Sequence, residues 1–132
     1  MRNSFVIYIS QMEIATMPTS QIVFLTGRAL LALLFLLAGL TKIVGPKPVL
    51  AHMAQEHVPA FVLPFVIALE IGCGAAVLVG WRVPIAAAIL CAFCVATAVT
   101  FHRNFAERAE RTQFVKDIAL AGGLAVLATV AS

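Results

Sequence analysis

The sequence predicts an all-α fold, a polytopic transmembrane four-helix bundle, and two observations carry that prediction. Of the 132 residues, 62% are hydrophobic and only 11% are charged, whereas soluble domains are roughly 45–50% apolar and about 25% charged. A monomer this small cannot bury so much apolar surface inside itself, so lipid must cover the rest. The apolar residues also fall into four segments, each near the roughly 20 residues that cross a hydrocarbon core. These segments are residues 22–40, 61–79, 84–101 and 114–131.

The first 20 residues precede the bundle and are expected to form a separate N-terminal tail. They hold no basic region followed by a cleavage site, so no signal peptide is predicted. The tail is expected to be disordered or interfacial, with Met1, Met12 or Met17 as the true start. The membrane domain should then cover residues 21–132, and only Arg28 interrupts its first span.

The connector at residues 41–60 combines helix breakers with polar groups. Its two histidines, His52 and His57, are expected to be solvated, and without nearby Cys or further His they predict no metal site. A short interfacial helix near residues 49–56 is a further expectation for this connector.

The second and third spans are expected to form a tight antiparallel hairpin. Pro64 lies in the first turn of the second span, where a missing N–H costs little, and Glu70 lies near its middle. The turn that follows contains Trp81 and Arg82, a pairing typical of a membrane interface.

The fourth span needs charged residues to reach full length. Only residues 118–131 are uninterrupted, so a complete crossing must begin near Phe114 and include Lys116 and Asp117. We expect this span because three spans would leave Glu70 with fewer helices to shield it.

The basic residues lie in the connecting segments, and the formal net charge is +3. This distribution is typical of membrane orientation, so no nucleic-acid partner is predicted. The two long connectors with their flanks hold Lys42, Lys47, Arg103, Arg108, Arg111 and Lys116. The tail and the short turn hold only Arg2 and Arg82. The positive-inside rule then predicts cytoplasmic long connectors and external termini in a bacterial-type cytoplasmic (inner) membrane.

Arg28 and Glu70 are predicted to pair inside the bundle. An ionisable group at the centre of a membrane helix costs about 2.5–3.5 kcal/mol, so such groups normally face the interior and find partners. Counted from the side of the termini, Arg28 and Glu70 lie at depths of roughly 9 and 15 Å, because each helical residue rises about 1.5 Å. Long side chains can bridge that difference.

A second polar cluster is predicted at the opposite membrane edge. Lys42 reaches this edge where His102 leaves the third span, and the fourth span brings Lys116 and Asp117 there. One interpretation is a site for a proton or a quinone headgroup, in which Glu70 or His102 exchanges protons. The alternative is an interhelical lock with snorkelling lysines.

Small residues recur at every fourth position of the second span and predict close packing against another helix. They are Ala68, Gly72, Ala76 and Gly80. Glu70 points nearly opposite to this ridge.

Three cysteines, Cys73, Cys91 and Cys94, lie inside the spans. Cys91 and Cys94 form a C-x-x-C motif, which in redox proteins depends on a stabilised thiolate. Burial in an apolar helix suppresses that reactivity, so a thiol-disulfide function is a lesser alternative. Cys73 and Cys91 lie at about the same depth, which leaves a disulfide between them open.

Several of these residues, taken in order, resemble the DoxX family of small four-helix membrane proteins. The first span carries Gly27-Arg28, Phe35, Gly39 and Lys42, and the second carries Glu70-Ile71-Gly72-Cys73-Gly74, Leu78 and Gly80. The resemblance continues through His102 and the Gly122-Gly123 pair and covers about residues 25–131.

The family takes its name from a membrane subunit of thiosulfate:quinone oxidoreductase. The resemblance therefore implies a membrane subunit or accessory of a sulfur- or quinone-linked redox complex, with quinone as the cofactor and a redox enzyme subunit as the partner. Any enzymatic role would belong to that complex. The alternatives are a non-catalytic scaffold or assembly factor, the thiol-disulfide protein, and a homo-oligomer in place of the redox partner. A small transporter is disfavoured because no paired broken helices are predicted.

Overall fold

The computed structural model describes residues 2–15 and 18–131, and every regular element in that part of the chain is helical. The elements in order are α1 (Arg2–Ala15), α2 (Thr19–Val44), α3 (Lys47–Gln55), a 3₁₀ turn (Ala60–Val62), α4 (Leu63–Val79), α5 (Val83–Phe101) and α6 (Arg108–Val130). Four segments are long and apolar enough to cross a membrane: Thr19–Val44, Ala60–Val79, Val83–Phe101 and Arg108–Val130. The predicted all-α bundle of four membrane-spanning helices is confirmed.

The ends of the α4–α5 hairpin follow from local chain chemistry. Pro64 and Pro84 each occupy the second position of their helix, where the missing N–H has no intrahelical acceptor to lose. Gly80 ends α4 in the left-handed conformation with φ of 83°, and its N–H donates to the carbonyl of Ala76 at 3.0 Å. The tight turn predicted between the second and third spans follows directly.

Two helices are longer than the sequence predicted. α6 begins at Arg108 and not near Phe114, because the Arg, Ala, Glu and Gln residues of this charged stretch are good helix formers. Arg108, Glu110 and Arg111, which the sequence analysis assigned to the connector, therefore lie in the first turn of α6. Helix α2 extends beyond the predicted 22–40 span at both ends.

The segments outside the four spans are also helical. α3 provides the short helix expected in the first connector. The N-terminal segment forms α1, where the sequence analysis expected a disordered or interfacial tail. Two of the three candidate starts, Met1 and Met17, lie outside the described residues, so the choice of start stays a prediction.

The four spanning helices pack as two pairs, α2 on α4 and α5 on α6. Contact between α4 and α5 joins the pairs, whereas α2 and α6 touch only narrowly. The shared core contains Phe35 from α2, Val77 from α4, Leu90 from α5 and Leu124 from α6, and all four are buried. Each spanning helix therefore contributes to one core.

The contact between α2 and α4 includes two glycines that the predicted small-residue ridge does not include. A Cβ added to Gly39 would lie 2.6 Å from Ile71 Cγ1, and one added to Gly74 would lie 3.3 Å from the carbonyl oxygen of Ala32. Gly74 lies on the inward face of α4 together with buried Glu70 and Val77.

The first half of the predicted ridge does not pack against another of the described helices. Ala68 and Gly72 are exposed, and a Cβ added to Gly72 would meet no atom within 4 Å. α4 is rotated so that Glu70 faces inward, because exposing a carboxylate to lipid costs more than leaving small residues unpacked. Only Ala76, of the four ridge residues, lies against the core.

Candidate functional site

A cavity of about 940 Å³ lies at the end of the bundle where the two long connectors meet. Its volume is within the roughly 300–1,000 Å³ typical of ligand pockets. Most of its lining is apolar, including Phe35, Met53 and Phe93. The polar and charged lining residues are Thr41, Lys42, His52, Glu70, Thr97, Thr100, His102, Gln113, Lys116 and Asp117. The cavity thus combines a large apolar wall with several titratable groups.

The central charge contact of this cavity joins α2 to α4. Lys42 Nζ donates to both Glu70 oxygens, Oε1 and Oε2, each at 2.8 Å. The Glu70 side chain is 4% exposed, whereas that of Lys42 is 22% exposed. Lys42 lies one turn beyond Gly39, which packs against the Ile71 side chain of α4, so this contact sets the lysine at the depth of Glu70. The pair satisfies a carboxylate that would otherwise be isolated in an apolar surrounding.

A second charge cluster is centred on His102, the residue that ends α5. His102 Nδ1 lies 3.1 Å from Glu110 Oε2, and its Nε2 lies 3.6 Å from Asp117 Oδ2. Glu110 and Asp117 are two turns apart on α6 and so share one face. Asp117 Oδ2 is buried and has no hydrogen-bond partner at this separation. A neutral imidazole can donate at only one nitrogen, whereas an imidazolium can donate to both carboxylates.

Helix α3 brings a third group, His52, over the same cavity. The His52 ring meets His102 edge-on with 5.6 Å between ring centroids, and it meets Phe101 at 5.2 Å. Met53, next to it on α3, is buried. The expectation that His52 is a solvated loop residue is therefore wrong, although His57 is exposed as expected. The signal was available in the spacing, because His52 and Met53 follow the apolar Val49 by three and four positions and so share one helix face with it.

Glu110 is the other site residue that sequence reasoning missed. It belongs to the charged stretch assigned to a connector, so it was not considered with the buried groups. Because α6 begins at Arg108, Glu110 lies seven residues before Asp117 on the same helix face. That spacing is the signal that places Glu110 beside His102.

The predicted pair between Arg28 and Glu70 is wrong. Arg28 lies against Gly80, at the opposite end of the bundle: a Cβ added to Gly80 would lie 3.3 Å from Arg28 Nη2. The prediction placed the start of the first span level with the end of the second span. In the structure, α2 begins at Thr19 and runs past the end of α4. Arg28 is therefore level with Gly80, which is about 15 Å along the helix axis from Glu70.

The remaining predicted residues divide between the cavity and the helix packing. Lys116 lines the cavity with an exposed side chain. Buried Cys94 also lines it, and Cys91 donates through Sγ to the carbonyl of Ala121 at 3.2 Å. Cys73, Cys91 and Cys94 are all free thiols. The structure therefore shows no disulfide among these three, and a redox role for them stays a prediction.

The arrangement allows two kinds of chemistry. Lys42 and His102 present N–H donors to a polar headgroup, and Glu70, His102, Glu110 and Asp117 can exchange protons with it or with one another. The same contacts also link α2 to α4 and α5 to α6, which is what an interhelical lock requires.

Comparison with known proteins agrees with this architecture. The model of the DoxX family matches residues 23–103, more than half of the chain. The chain is also similar to the inner membrane protein YqjF of Escherichia coli (strain K12), with 39% identity over 104 residues. That alignment covers 79% of this chain and 80% of the relative. No solved structure gives a significant match.

These observations define an integral four-helix protein of a bacterial-type inner membrane. Within that class, the chain belongs to the DoxX family. The matched region contains Lys42, Glu70 and His102, whereas Glu110 and Asp117 lie beyond its end.

Proposed function

We propose that the protein is a membrane subunit or accessory of a quinone-linked redox complex and that its 940 Å³ cavity receives the quinone headgroup. The observation that carries this proposal is the lining of the cavity: a large apolar wall with Lys42, Glu70, His102 and Asp117 at one end. A quinone has the matching chemistry, since its ring and tail are apolar and its two carbonyl oxygens accept hydrogen bonds.

Reduction of a quinone to a quinol takes up two electrons and two protons. The electrons would come from a partner subunit that oxidises its own substrate. Glu70 and His102 are placed to exchange the protons, and His102 lies at the connector end, where water can resupply it. Lys42 Nζ, which already donates to Glu70, would position a carbonyl oxygen beside that carboxyl group.

The first test is purification from native membranes in mild detergent, followed by mass spectrometry of the protein and quinone recovered with the chain. We expect a stoichiometric redox subunit and bound quinone. Quinone reduction by this complex should then fall on the order of 100-fold in E70Q and in H102A, the usual contribution of a proton-exchanging group. E107Q and H57A are matched controls, since Glu107 and His57 are exposed and do not line the cavity. Equal rates in all four variants would contradict a catalytic cavity.

A second candidate function, a non-catalytic scaffold or assembly factor, is favoured by one observation. The two 2.8 Å contacts between Lys42 and Glu70 join α2 to α4 and need no ligand to satisfy the charges. The double variant K42M/E70M separates the candidates, because apolar replacement of a buried pair is often tolerated structurally. A scaffold would retain its partner with normal activity of the complex. A quinone site would retain the partner and lose quinone reduction.

A further inference from the structure

A second cavity, of about 810 Å³, lies at the opposite end of the bundle from the quinone cavity. It is bounded by the beginnings of α2 and α5 and by the end of α6. Among the described residues that line it, Arg28 and Arg82 are the charged ones, and both are positive.

Arg28 has no partner in the part of the chain that the structure describes. It makes no ion pair and no side-chain hydrogen bond there, although its guanidinium is half-buried against Gly80. A half-buried guanidinium at the end of a membrane bundle is costly without an anion or another acceptor. In contrast, Lys42, at the other end of the same helix, is fully engaged with Glu70.

Arg82 is held toward the same cavity by its backbone and its neighbour. Its φ of 48° is in the left-handed region, which residues other than glycine rarely adopt and which is often found at binding sites. Its guanidinium carbon lies 5.3 Å from the centroid of the Trp81 ring. A guanidinium over an aromatic ring can still donate its N–H groups in its own plane.

Helix ends alone do not determine the potential of this cavity. In the up-and-down bundle the N-termini of α2 and α5 meet the C-termini of α4 and α6 at this end, and their partial charges of about half a unit offset one another in pairs. Of the described groups at this cavity, Arg28 and Arg82 therefore supply the full charges.

We propose that this second cavity binds a phosphate-class oxyanion through Arg28 and Arg82, the chemistry shared by a phospholipid headgroup and free inorganic phosphate. Guanidinium groups match the oxygens of a phosphate in a bidentate geometry. The wall beside the arginines is apolar, with Phe24, Val83 and Val130, and Trp81 is exposed next to it, as interfacial aromatic residues are. This site is separate from the quinone cavity and does not depend on the function proposed there.

The test uses Trp81 as its reporter, because it is the single tryptophan of the chain and is in contact with Arg82. The full chain in a neutral detergent is titrated with inorganic phosphate, with short-chain phosphatidylglycerol, and with phosphatidylcholine of equal chain length. Tryptophan emission is followed at constant ionic strength. We expect a saturable change whose apparent affinity falls about tenfold or more in R28Q and in R82Q. R111Q is the matched control, since Arg111 is exposed on α6 and does not line this cavity.

The titrations also identify the source of the oxyanion. Tighter binding of phosphatidylglycerol than of inorganic phosphate supports a lipid headgroup, whereas equal binding supports the free anion at the same arginines.

Arg82 is exposed, so R82Q keeps the test informative if R28Q does not fold. No saturable change with any of the three probes would overturn the proposal. An unchanged response in both R28Q and R82Q would overturn it as well.

Discussion

At the scale of single residues, the buried carboxyl group of Glu70 determines much of the local arrangement. It is almost completely buried in α4, and only Lys42 makes a direct ionic contact with it among the described residues. Burying either charge alone costs several kcal/mol, which a partner at hydrogen-bond distance offsets. Glu70 therefore selects both the inward face of α4 and the depth at which the end of α2 must meet it.

Replacing Lys42 alone should destabilise the fold more than replacing both Lys42 and Glu70. We expect K42M to lower the free energy of unfolding by about 2–3 kcal/mol, somewhat less than for a fully buried pair because Lys42 is partly exposed. K42M/E70M should recover most of that loss. Unfolding in a titration with sodium dodecyl sulfate, followed by circular dichroism, measures the cycle. If the double variant is as unstable as the sum of the two single variants, the pairing does not stabilise the fold.

The sequence was sufficient to predict which residue types gather at the connector edge, but not which charges touch. Lys42, His102 and Asp117 were expected there because each lies at the edge of its own span, a property of local sequence. The Arg28 prediction failed because the register between two helices depends on where the glycines allow close approach. His52 was missed because its position follows from how α3 docks on the bundle, which a local pattern only suggests.

At the scale of elements, the contact of α2 with α4 includes two glycines, Gly39 and Gly74, that leave little room for a side chain. A Cβ at Gly39 would lie 2.6 Å from Ile71 Cγ1, and a β-branched side chain in a helix has almost no freedom to rotate away. The Gly72 position on the outer face has no such neighbour. Gly39 is therefore needed for the contact between α2 and α4, whereas Gly72 is not.

The matched pair G39A and G72A tests this assignment. G39A should lower the free energy of unfolding by about 1–2 kcal/mol, because overpacking outweighs the gain in helix propensity. G72A should leave it unchanged or raise it by up to about 1 kcal/mol. The measurement is again detergent unfolding, with thermal aggregation as a second readout. A larger loss in G72A would place the predicted small-residue ridge in a contact, for example with another copy of the chain.

At the scale of the whole molecule, the four crossings place both termini on one side of the membrane. The opposite side carries most of the connector charge, including Lys47, Arg103 and Arg111. The described side chains at the termini end add Arg2, Arg28 and Arg82. The difference still favours cytoplasmic connectors under the positive-inside rule.

Fusion reporters at the C-terminus test this orientation. We expect an alkaline phosphatase fusion to be active and a green fluorescent protein fusion to be dark, because the C-terminus should face the periplasm. Reversing the bias, with R103Q/R111Q on one side and added lysines beside Arg82 on the other, should invert or mix the two signals. A fluorescent C-terminal fusion in the unmodified chain would reverse the assignment and place the 940 Å³ cavity on the periplasmic side.

The narrow contact between α2 and α6 indicates how a membrane-soluble ligand would enter the bundle. The pair α2–α4 and the pair α5–α6 are joined mainly through the contact of α4 with α5, and residues of both pairs line the cavity that we propose binds quinone. We expect a long isoprenoid chain to reach the cavity sideways from the bilayer, through the seam between α2 and α6. Occupancy would then depend on the mole fraction of the ligand among the surrounding lipids, and its concentration in bulk water would hardly matter.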